Sequence, residues 1–275
     1  PRSRFTADIP ERIADLVADA YGSAQREFES WLGTSTLARV TVSVRRPDAA
    51  ADADLEALET LIAARTTVWS DRVRTCLVHP AGAELASLID AAPAAYRAAV
   101  PADRAADDMK LLAALLGGTR DAVTAISHDD GDATAEYRIR IYRHGDPLLL
   151  ADILPLLDHL GFVTVDEQPY EFEVDEDTLY LYDIGVLAPD GVELDDDRRA
   201  DLRQAFDGLL TGAVESDGFN RLILHAGLDV REVEMLRCYA RYLRQIGFSF
   251  SQAYLEETLT EHPDLAAMLV ELFEV

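Results

Sequence analysis

Apolar and polar residues follow two different spacings along this chain. Apolar positions recur every three to four residues over residues 9–32 and over residues 55–116, which predicts helices in both stretches. In the second stretch we expect breaks near residues 80–82 and at Pro101. Between the two stretches, residues 38–45 alternate strictly, with three valines on one face, and predict a half-buried strand.

The spacing becomes mixed after residue 118. We expect four strands and two helices here: strands at residues 122–126, 137–142, 162–165 and 178–186, and helices at residues 148–160 and 195–214. Residues 128–134 predict a hairpin loop between the first two strands. From Tyr137 onward the order is strand, helix, strand, strand, helix, which is the ferredoxin-like arrangement without its final strand.

Four residues bear on the start, the course and the end of the helix predicted at residues 148–160. Asp146 is a candidate N-cap and Pro147 a suitable first helical residue. Pro155 lies inside the segment and is expected to kink or split the helix. Gly161 is expected to end it.

The last section is predicted to be entirely helical. A first helix covers about residues 217–226, and Asp229 with Glu232 predicts a capping box for a second. Ser249 with Gln252 predicts a capping box for a third helix, and Pro263 opens a fourth. This fourth helix is still apolar where the sequence stops, and the first residue is not Met. Both features indicate a piece of a longer protein.

Composition and charge narrow the functional classes. The chain has 275 residues, enough for one to three domains, and its 49% of hydrophobic residues is enough for real cores. A net charge of −26 argues against a duplex DNA partner and against docking on anionic lipid. No apolar run reaches the roughly 20 residues that a membrane span needs. Cys76 and Cys238 are far apart in sequence, as expected for two free thiols in an intracellular protein.

Charge is unevenly distributed. Residues 166–201 hold 14 acids and two arginines, whereas residues 217–247 hold five arginines and four acids. This contrast is compatible with electrostatic docking between domains or subunits, and equally with two ordinary solvated faces. The second interpretation is favoured, because exposed ion pairs contribute only about 0–1 kcal/mol each.

Motifs that carry chemistry are missing. The sequence contains no glycine-rich dinucleotide or phosphate loop, no nucleophile elbow, no HExxH and no CxxC, and its six histidines form no helical metal pair. Lys110 is the only lysine. Residues 129–132 faintly resemble a calcium loop, but a solvated hairpin turn explains them better. The acidic residues 175–177 and 195–197 are interpreted as a strand-to-strand turn and as the first turn of a helix.

Three long stretches carry a family resemblance. They read YRIRIYRHGDPLLLADILPLLDHLGF at residues 137–162, ESDGFNRLILHAGL at 215–228 and YARYLRQIGFSFSQAY at 239–254. Together they resemble the N-terminal region of the large bacterial NAD-specific glutamate dehydrogenases. The resemblance is strong from about Glu136 to the C-terminus. Over residues 5–118 it depends on the order of elements and on Trp69-Ser70-Asp71.

The resemblance implies an architecture. In that family, ACT-type domains and helical motifs precede a separate dehydrogenase domain. The chain would be α+β, with a ferredoxin-like (ACT-type) βαββα unit flanked by helical segments and a C-terminal helical motif. Its expected parts are a helix–strand tail of one ACT-like domain (1–46), a helical connector (47–118), an ACT-like domain (119–215) and a helical motif (216–275).

The resemblance also implies a parent reaction, the conversion of L-glutamate, NAD and water to 2-oxoglutarate, ammonia and NADH in the cytoplasm. Enzymes of this type use lysines to hold substrate and activate water, and only Lys110 is present here. We therefore assign no catalytic, cofactor-binding or metal-binding residue to this chain. NAD belongs to the parent enzyme. The expected partners are other domains and subunits of that enzyme, with neither nucleic acid nor membrane among them.

A regulatory role would need an effector site. ACT-like domains often bind amino acids where the first strand turns into the first helix, and the corresponding turn here contains Gly145, Asp146 and Pro147. Gly145 would let a ligand approach the backbone, and the helix N-terminus would offer N–H donors to a carboxylate. The alternative, which we favour, is that Asp146 simply caps its own helix, because its charge would repel such a ligand.

A structural role would need an interface. The apolar helical surface between residues 219 and 273 is the candidate, with Phe219, Arg237, Arg241 and Tyr242 as its proposed contact residues. The open alternatives are a purely structural interaction module without a ligand and a stand-alone amino-acid sensor of the ACT type. An independent enzyme would need a nucleophile or an acid–base pair that the sequence does not show.

Overall fold

A computed structural model describes residues 5, 8–33, 37–45, 53–77, 85–118, 120–129 and 135–274. The chain forms two compact units, one of residues 1–83 with 101–106 and the other of residues 84–100 with 107–275. Each contains an antiparallel sheet and helices, which confirms the predicted α+β class.

The first unit is built on a hairpin. Its described elements are α1 (Ile9–Ala20), β1 (Arg26–Trp31), β2 (Arg39–Val44), α2 (Leu55–Thr66) and α3 (Trp69–Cys76). β1 and β2 pair antiparallel, with Phe28 opposite Val42. α1 packs against both strands and against α2. The predicted strand of valines is therefore confirmed as β2.

The predicted helix over residues 9–32 is wrong in its second half. α1 ends at Ala20, and Gly22 then adopts a left-handed φ of +62° that turns the chain. The Ser23 Oγ lies 2.7 Å from the carbonyl oxygen of Gln25 and 2.8 Å from that of Arg45, and its single proton is shared between the two acceptors, which fixes the start of the hairpin. Residues 26–31 carry their two apolar side chains, Phe28 and Trp31, three residues apart as in a helix, yet they pair with β2, so pairing with the valine strand outweighs their helical spacing.

The helical prediction for residues 55–116 is confirmed in most of the described part. Beyond α2 and α3 come α4 (Ala86–Ala91), α5 (Ala94–Ala99) and α6 (Ala102–Leu116). An unexpected break separates α2 from α3, because Thr67 and Val68 are extended. The break at Pro101 is confirmed, and the one at residues 80–82 lies outside the described residues.

The second unit contains a four-stranded sheet. Its elements are β3 (Ala122–His128), β4 (Tyr137–His144), α7 (Leu150–Leu160), β5 (Val163–Val174), β6 (Asp177–Leu187) and α8 (Asp196–Thr211). The spatial order is β3-β4-β6-β5, and all neighbours are antiparallel. From β4 to α8 this is the ferredoxin-like order. The edge beside β4, which the final strand takes in a complete ferredoxin-like sheet, is occupied by β3 from earlier in the chain.

β5 is much longer than the predicted strand at residues 162–165. It continues to Val174, with a bulge between Thr164 and Asp166. Pro169 lies within it, and this is tolerated because β5 is an edge strand whose outer side needs no ladder donor. The acidic turn after β5 is confirmed, with Asp175 at a φ of +53°.

Of two predicted helix starts in this unit, that of α8 is confirmed and that of α7 is wrong. Asp195 caps α8 by accepting a hydrogen bond from the Arg198 N–H, and acids follow in the first turn, as predicted. α7, however, begins at Leu150 behind an extended Leu149, so the prediction that Asp146 is its N-cap is wrong. Pro155 lies inside α7 without splitting it.

Both faces of the four-stranded sheet are covered. On one face, Ile139, Ile141 and Ile184 join a core with residues of α7 and α8 and of the C-terminal helices. On the other face, α4 contacts β5, and the ring of Tyr96 from α5 lies edge-on to Phe172, with ring centroids 5.2 Å apart.

The C-terminal section is helical, as predicted. It contains a 3₁₀ turn (Gly218–Asn220), α9 (Arg221–His225), α10 (Val230–Gln245), α11 (Gln252–Glu261) and α12 (Pro263–Glu274). The capping box of Asp229 and Glu232 is confirmed. The box predicted from Ser249 is wrong, because Ser251 is the residue that caps α11, through the Tyr254 N–H. Over the described residues, no helix is both long enough and apolar enough to span a membrane.

Candidate functional site

The turn predicted as an effector site is well defined. Gly145 has a left-handed φ of +86°, and its N–H donates to the Thr178 carbonyl at 3.0 Å. The His144 Nε2 lies 2.8 Å from a carboxylate oxygen of Asp177. The backbone carbonyl of Asp146 accepts a hydrogen bond from Arg143 Nε at 3.2 Å. The turn is therefore held by β4 and β6, and Asp146 is not used as a helix cap.

A groove of about 840 Å³ lies beside this turn. We call it the α8 groove. Its walls come from the start of β3, the end of β4, the residue Leu148 and one side of α8. Gly145, Asp146 and Pro147 themselves do not line it. Its lining residues are Arg120, Asp121, Ala122, Val123, Arg143, Leu148, Ala200, Asp201, Arg203, Gln204, Asp207, Gly208, Leu210 and Thr211.

The frame of the α8 groove is fixed by specific hydrogen bonds. The Thr124 hydroxyl, buried on β3, donates to Asp207 of α8 at 2.6 Å and ties the helix to the strand. The Leu148 N–H donates to the Tyr182 hydroxyl at 2.8 Å, which positions the opposite wall. A groove framed by a sheet, a helix and two such bonds is largely preformed, as small-molecule sites usually are.

Charges of both signs line the α8 groove. Three arginines and three aspartates contribute to it. Among the described residues, the side chains of Arg120, Arg203, Asp121 and Asp201 make no hydrogen bond and no ion pair. Val123, Leu148 and Leu210 add apolar surface between them. The groove thus presents exposed charged side chains of both signs beside apolar surface.

A second polar group lies on the opposite, buried face of the sheet. We call it the charge cluster. It comprises Arg138, Arg140, Asp108, Asp129, Asp166 and Asp183. Arg140 donates to Asp183 through Nε at 3.0 Å and lies across the β4–β6 ladder from it. Arg138 contacts Asp129 at 3.1 Å and also pairs with Asp166.

The electrostatics of the charge cluster favour a structural role. Burial lowers the pKa of Arg140, but the carboxylates of Asp183 and Asp108 outweigh it and raise the pKa overall, so the guanidinium stays charged. Tyr96 and Tyr142 donate to the two oxygens of Asp108 at 2.6 and 2.7 Å. Burial and the Asp108 carboxylate raise the pKa of Tyr96 far above its usual range. The Arg140 guanidinium therefore stays charged and the Tyr96 phenol stays protonated.

The four predicted interface residues lie in two different environments. Phe219 is fully buried, and Arg237 is 3% exposed and forms an ion pair with Asp217 at 2.8 Å. Neither side chain is therefore at the surface of this chain. Arg241 is exposed and pairs with Glu215, and Tyr242 is 56% exposed.

Large exposed apolar side chains are numerous in the stretch of residues 219–273 that the sequence analysis names as a candidate interface. Eleven large apolar side chains of the C-terminal section are at least 40% exposed: Tyr239, Tyr242, Ile246, Phe248, Phe250, Tyr254, Leu265, Met268, Leu269, Leu272 and Phe273. We call them the exposed apolar set. Three ring contacts occur within it, between Tyr239 and Phe273, between Phe248 and Phe250, and between Phe250 and Tyr254. Large exposed apolar patches usually mark an interaction site.

Other candidate chemistry has ordinary explanations. Lys110 is exposed and pairs with Asp107 at 2.8 Å. Cys76 and Cys238 are free and exposed. The calcium-loop resemblance falls mostly on residues 130–132, which lie outside the described residues, while Asp129 belongs to the charge cluster. Within the part of the chain that the structure describes, no three His, Cys, Asp or Glu side chains could hold a metal ion together.

The α8 groove itself was missed by sequence analysis. Its residues come from β3, β4 and α8, which are far apart in sequence, so no local motif marks it. The available signal was the face of α8 opposite its apolar stripe, where Arg203, Asp207 and Thr211 recur at helical spacing. Such a pattern is also typical of a solvated helix face, and only the tertiary fold distinguishes a face that lines a groove from one that is simply solvated.

Comparison with known proteins supports the resemblance along the whole chain. Family models match three parts: the glutamate dehydrogenase ACT2 domain at residues 1–70, the ACT3 domain at residues 124–199 and helical motif 3 at residues 214–275. The match at residues 124–199 runs from within β3 to the start of α8, and the match at 214–275 covers the C-terminal helices.

Curated relatives agree with these matches. The NAD-specific glutamate dehydrogenase of Halomonas elongata is 31% identical over 284 residues, that of Pseudomonas aeruginosa 29% over 282 and that of Mycobacterium tuberculosis 30% over 303. Each alignment covers 100% of this chain but only 17–18% of the relative. The chain belongs to the family of the NAD-specific glutamate dehydrogenases, and it corresponds to their ACT2, ACT3 and helical motif 3 region.

Proposed function

We propose that this chain is a non-catalytic part of a large NAD-specific glutamate dehydrogenase, with a role in regulation and assembly. The exposed apolar set is the observation that carries this proposal, because it leaves eleven large side chains in need of a covering surface. The chain spans about 17% of the length of the curated relatives it matches. The remaining polypeptide of the same enzyme is therefore the partner that we assign to this surface.

The parent reaction is assigned to that remaining polypeptide. It converts L-glutamate, NAD and water to 2-oxoglutarate, ammonia and NADH, and NAD is its cofactor. Support comes from the names of the relatives, which are NAD-specific glutamate dehydrogenases. The only lysine of this chain, Lys110, is exposed and held by Asp107 in the same helix, a poor position from which to bind a substrate.

Location and assembly follow from the same proposal. We place the enzyme in the cytoplasm, where its metabolites are found, and we expect it to act as a homo-oligomer. Other domains and subunits of the enzyme are the protein partners, and an amino acid is the expected effector. A basic surface, which nucleic acid or anionic lipid would require, is not expected of a chain with a net charge of −26.

The proposal can be tested by combining this chain with the remaining polypeptide, expressed separately from the same gene. We expect the two pieces to co-elute in size-exclusion chromatography with light scattering. The Tyr242→Asp variant should weaken this association, because a charge at a buried interface is costly. Leu55→Asp is the matched control, since Leu55 is 66% exposed on α2 and is not part of the exposed apolar set.

Two results would contradict the proposal. NADH formation from glutamate by this chain alone would show that it is catalytic. Failure of the two pieces to associate, with this chain at monomer mass, would remove the assembly role. A dimer of this chain alone would instead assign the surface to a second copy and overturn the choice of partner.

A further inference from the structure

We infer that the edge of β2 that faces away from β1 binds one more strand, supplied by the polypeptide that directly precedes this chain in the intact enzyme. The pairing would be antiparallel, and the added strand would carry apolar side chains at alternate positions. The inference concerns the first unit and goes beyond the proposed function, on which it depends only for the presence of that polypeptide. The exposed apolar set plays no part in it.

The second unit contains a strand that has no counterpart among the described residues of the first. The order helix, strand, strand, helix occurs in both units, as α1, β1, β2 and α2 in the first and as α7, β5, β6 and α8 in the second. In both units the two strands form an antiparallel pair. On its other side β6 pairs antiparallel with β4, the strand that comes just before α7. Over the described residues, β2 pairs with β1 alone.

The register of the hairpin shows which backbone groups lie at the free edge of β2. The Arg45 N–H donates to the Gln25 carbonyl, so these two residues form a hydrogen-bonded pair. Bonded and non-bonded pairs alternate along an antiparallel ladder, and Val40, Val42 and Val44 therefore fall in the non-bonded pairs. Their N–H and C=O groups point away from β1, and no described residue bonds to them. Such an edge is a template for another strand.

The corresponding edge of β6 has the same character and is occupied by β4. The Gly145 N–H donates to the Thr178 carbonyl, so the even-numbered residues of β6 bond to β4. Among these residues, Ile184 and Val186 belong to the buried core. In β2 the even-numbered residues are the three valines, which are its half-buried positions. In each unit, therefore, the residues that line this edge also carry the apolar face of their strand.

The other edge of the hairpin is a poorer acceptor. β1 corresponds to β5, which stays at the edge of the four-stranded sheet. Charged side chains are a common means by which proteins protect an edge strand, and three of the six residues of β1 are charged: Arg26, Glu27 and Glu29. β2 has one charged residue, Arg39, and its three valines favour a strand that is paired on both sides.

The order of elements identifies the occupant. In the second unit a short connection, residues 145–149, joins β4 to α7. A similar connection before α1, which begins at Ile9, would place most of the added strand ahead of residue 1. The curated relatives are long enough to supply it, because this chain spans only 17–18% of their length. Addition of an extended segment to a sheet edge is a common way for polypeptides to associate.

Amide hydrogen exchange, measured by NMR residue by residue, tests the inference. The two samples are this chain and a longer version that begins about 20 residues earlier in the same gene, enough for a strand and its connection. In the longer version the amides of Val40, Val42 and Val44 should exchange at least tenfold more slowly than in this chain. Phe28 and Ser30 are the matched controls, because they lie opposite Val42 and Val40 in the same non-bonded pairs but face the other edge. Their amides should remain fast in both samples.

A pair of proline variants of the longer version adds a second test. Val42→Pro removes an N–H from the free edge of β2 and should abolish the added protection of Val40 and Val44. Phe28→Pro removes an N–H from the opposite edge and should leave that protection in place. Circular dichroism checks that both variants fold, and the exchange of the two unsubstituted samples decides the matter if they do not.

Three results would overturn the inference. The amides of Val40, Val42 and Val44 could already be slow in this chain, they could exchange equally fast in both samples, or Phe28 and Ser30 could become protected in their place. None of these results affects the proposed function, which is tested by association of the separate pieces and by Tyr242→Asp. Conversely, Tyr242→Asp in the longer version should leave the protection of the three valines unchanged.

Discussion

The Tyr142 hydroxyl donates a 2.7 Å hydrogen bond to Oδ1 of Asp108, and this bond joins the central strand β4 to helix α6. Both residues are almost completely buried, at 1% exposure each. Asp108 accepts from Tyr96 with its other oxygen, so a single carboxylate links two aromatic residues of different elements. A buried carboxylate needs such donors, because its desolvation is otherwise uncompensated.

We predict that Tyr142→Phe lowers the free energy of unfolding by about 1–3 kcal/mol, because one donor to a buried carboxylate is lost while the ring is kept. Urea denaturation followed by circular dichroism measures the change. Tyr239→Phe is the matched control. Tyr239 is 40% exposed, so removal of its hydroxyl should change stability by less than about 0.5 kcal/mol. Equal effects of the two substitutions would contradict a special role for the bond to Asp108.

Tyr96, which is buried and donates to the same carboxylate, makes stability depend on alkaline pH. Burial and Asp108 raise the pKa of Tyr96, so the folded protein keeps this phenol protonated where the unfolded chain releases its proton, above about pH 10. The unfolded state then binds fewer protons, and the free energy of unfolding falls as pH rises, by up to about 1.4 kcal/mol per pH unit for one group. Below about pH 10 this contribution is fully present.

Urea denaturation of the wild type and of Tyr96→Phe between pH 8 and pH 11 measures this dependence. The variant should lose stability less steeply above pH 10, although some slope should remain because burial also raises the pKa of Tyr170 and Tyr182. Identical slopes for the two proteins would show that Tyr96 does not titrate differently on unfolding.

Much of the second unit was predictable because its signals are local. The alternation at residues 137–142 predicts β4, and the helix boundaries at Gly161, Asp195 and Asp229 follow from caps that each bond to a residue close in sequence. These signals need no tertiary information. They are also the segments in which the family resemblance was strongest.

The errors occurred where tertiary pairing decides between two local preferences. Residues 26–31 have a helical spacing of apolar positions, yet pairing with β2 makes them a strand. Residues 166–174 are acidic and contain Pro169, yet Tyr170, Phe172 and Val174 are buried and the segment extends β5. The interface prediction includes Phe219 and Arg237, whose side chains are buried within this chain, because sequence spacing alone does not show which face of a helix is already covered.

We predict that Gly161→Ala destabilises the protein by about 1–2 kcal/mol. Gly161 ends α7 at a φ of +95°, a left-handed conformation that costs an L-residue about this much. An added Cβ would lie 3.5 Å from His225 Nε2, an ordinary contact, so the cost comes from the backbone. Thermal denaturation measures it.

Gly117→Ala is the matched control for this substitution. Gly117 has no left-handed φ, and an added Cβ there would meet nothing within 4 Å. We expect a change of less than about 0.5 kcal/mol, with a slight gain from the lower entropy of the unfolded chain. A loss as large as that of Gly161→Ala would contradict the backbone explanation.

The last prediction compares two arginines of α10 that lie one helical turn apart in opposite environments. Arg237 is 3% exposed and donates to both oxygens of Asp217, at 2.8 and 2.9 Å, and to the side chain of Asn220. Arg237→Ala leaves the Asp217 carboxylate without these donors and should cost about 3–5 kcal/mol. Arg241 is about half exposed and pairs with Glu215 at the surface, so Arg241→Ala should cost less than about 1 kcal/mol.

The two variants also separate stability from assembly. Arg237→Ala should lower the urea midpoint strongly, and Arg237→Lys should recover only part of the loss, because an ammonium group cannot reproduce the two parallel bonds. Arg241→Ala should leave the midpoint nearly unchanged, so any effect of this variant on association with the remaining polypeptide would reflect the interface itself. The prediction requires that burial of the ion pair, rather than the presence of a partner acid, sets the loss of stability. Equal destabilisation by Arg241→Ala and Arg237→Ala would therefore contradict it.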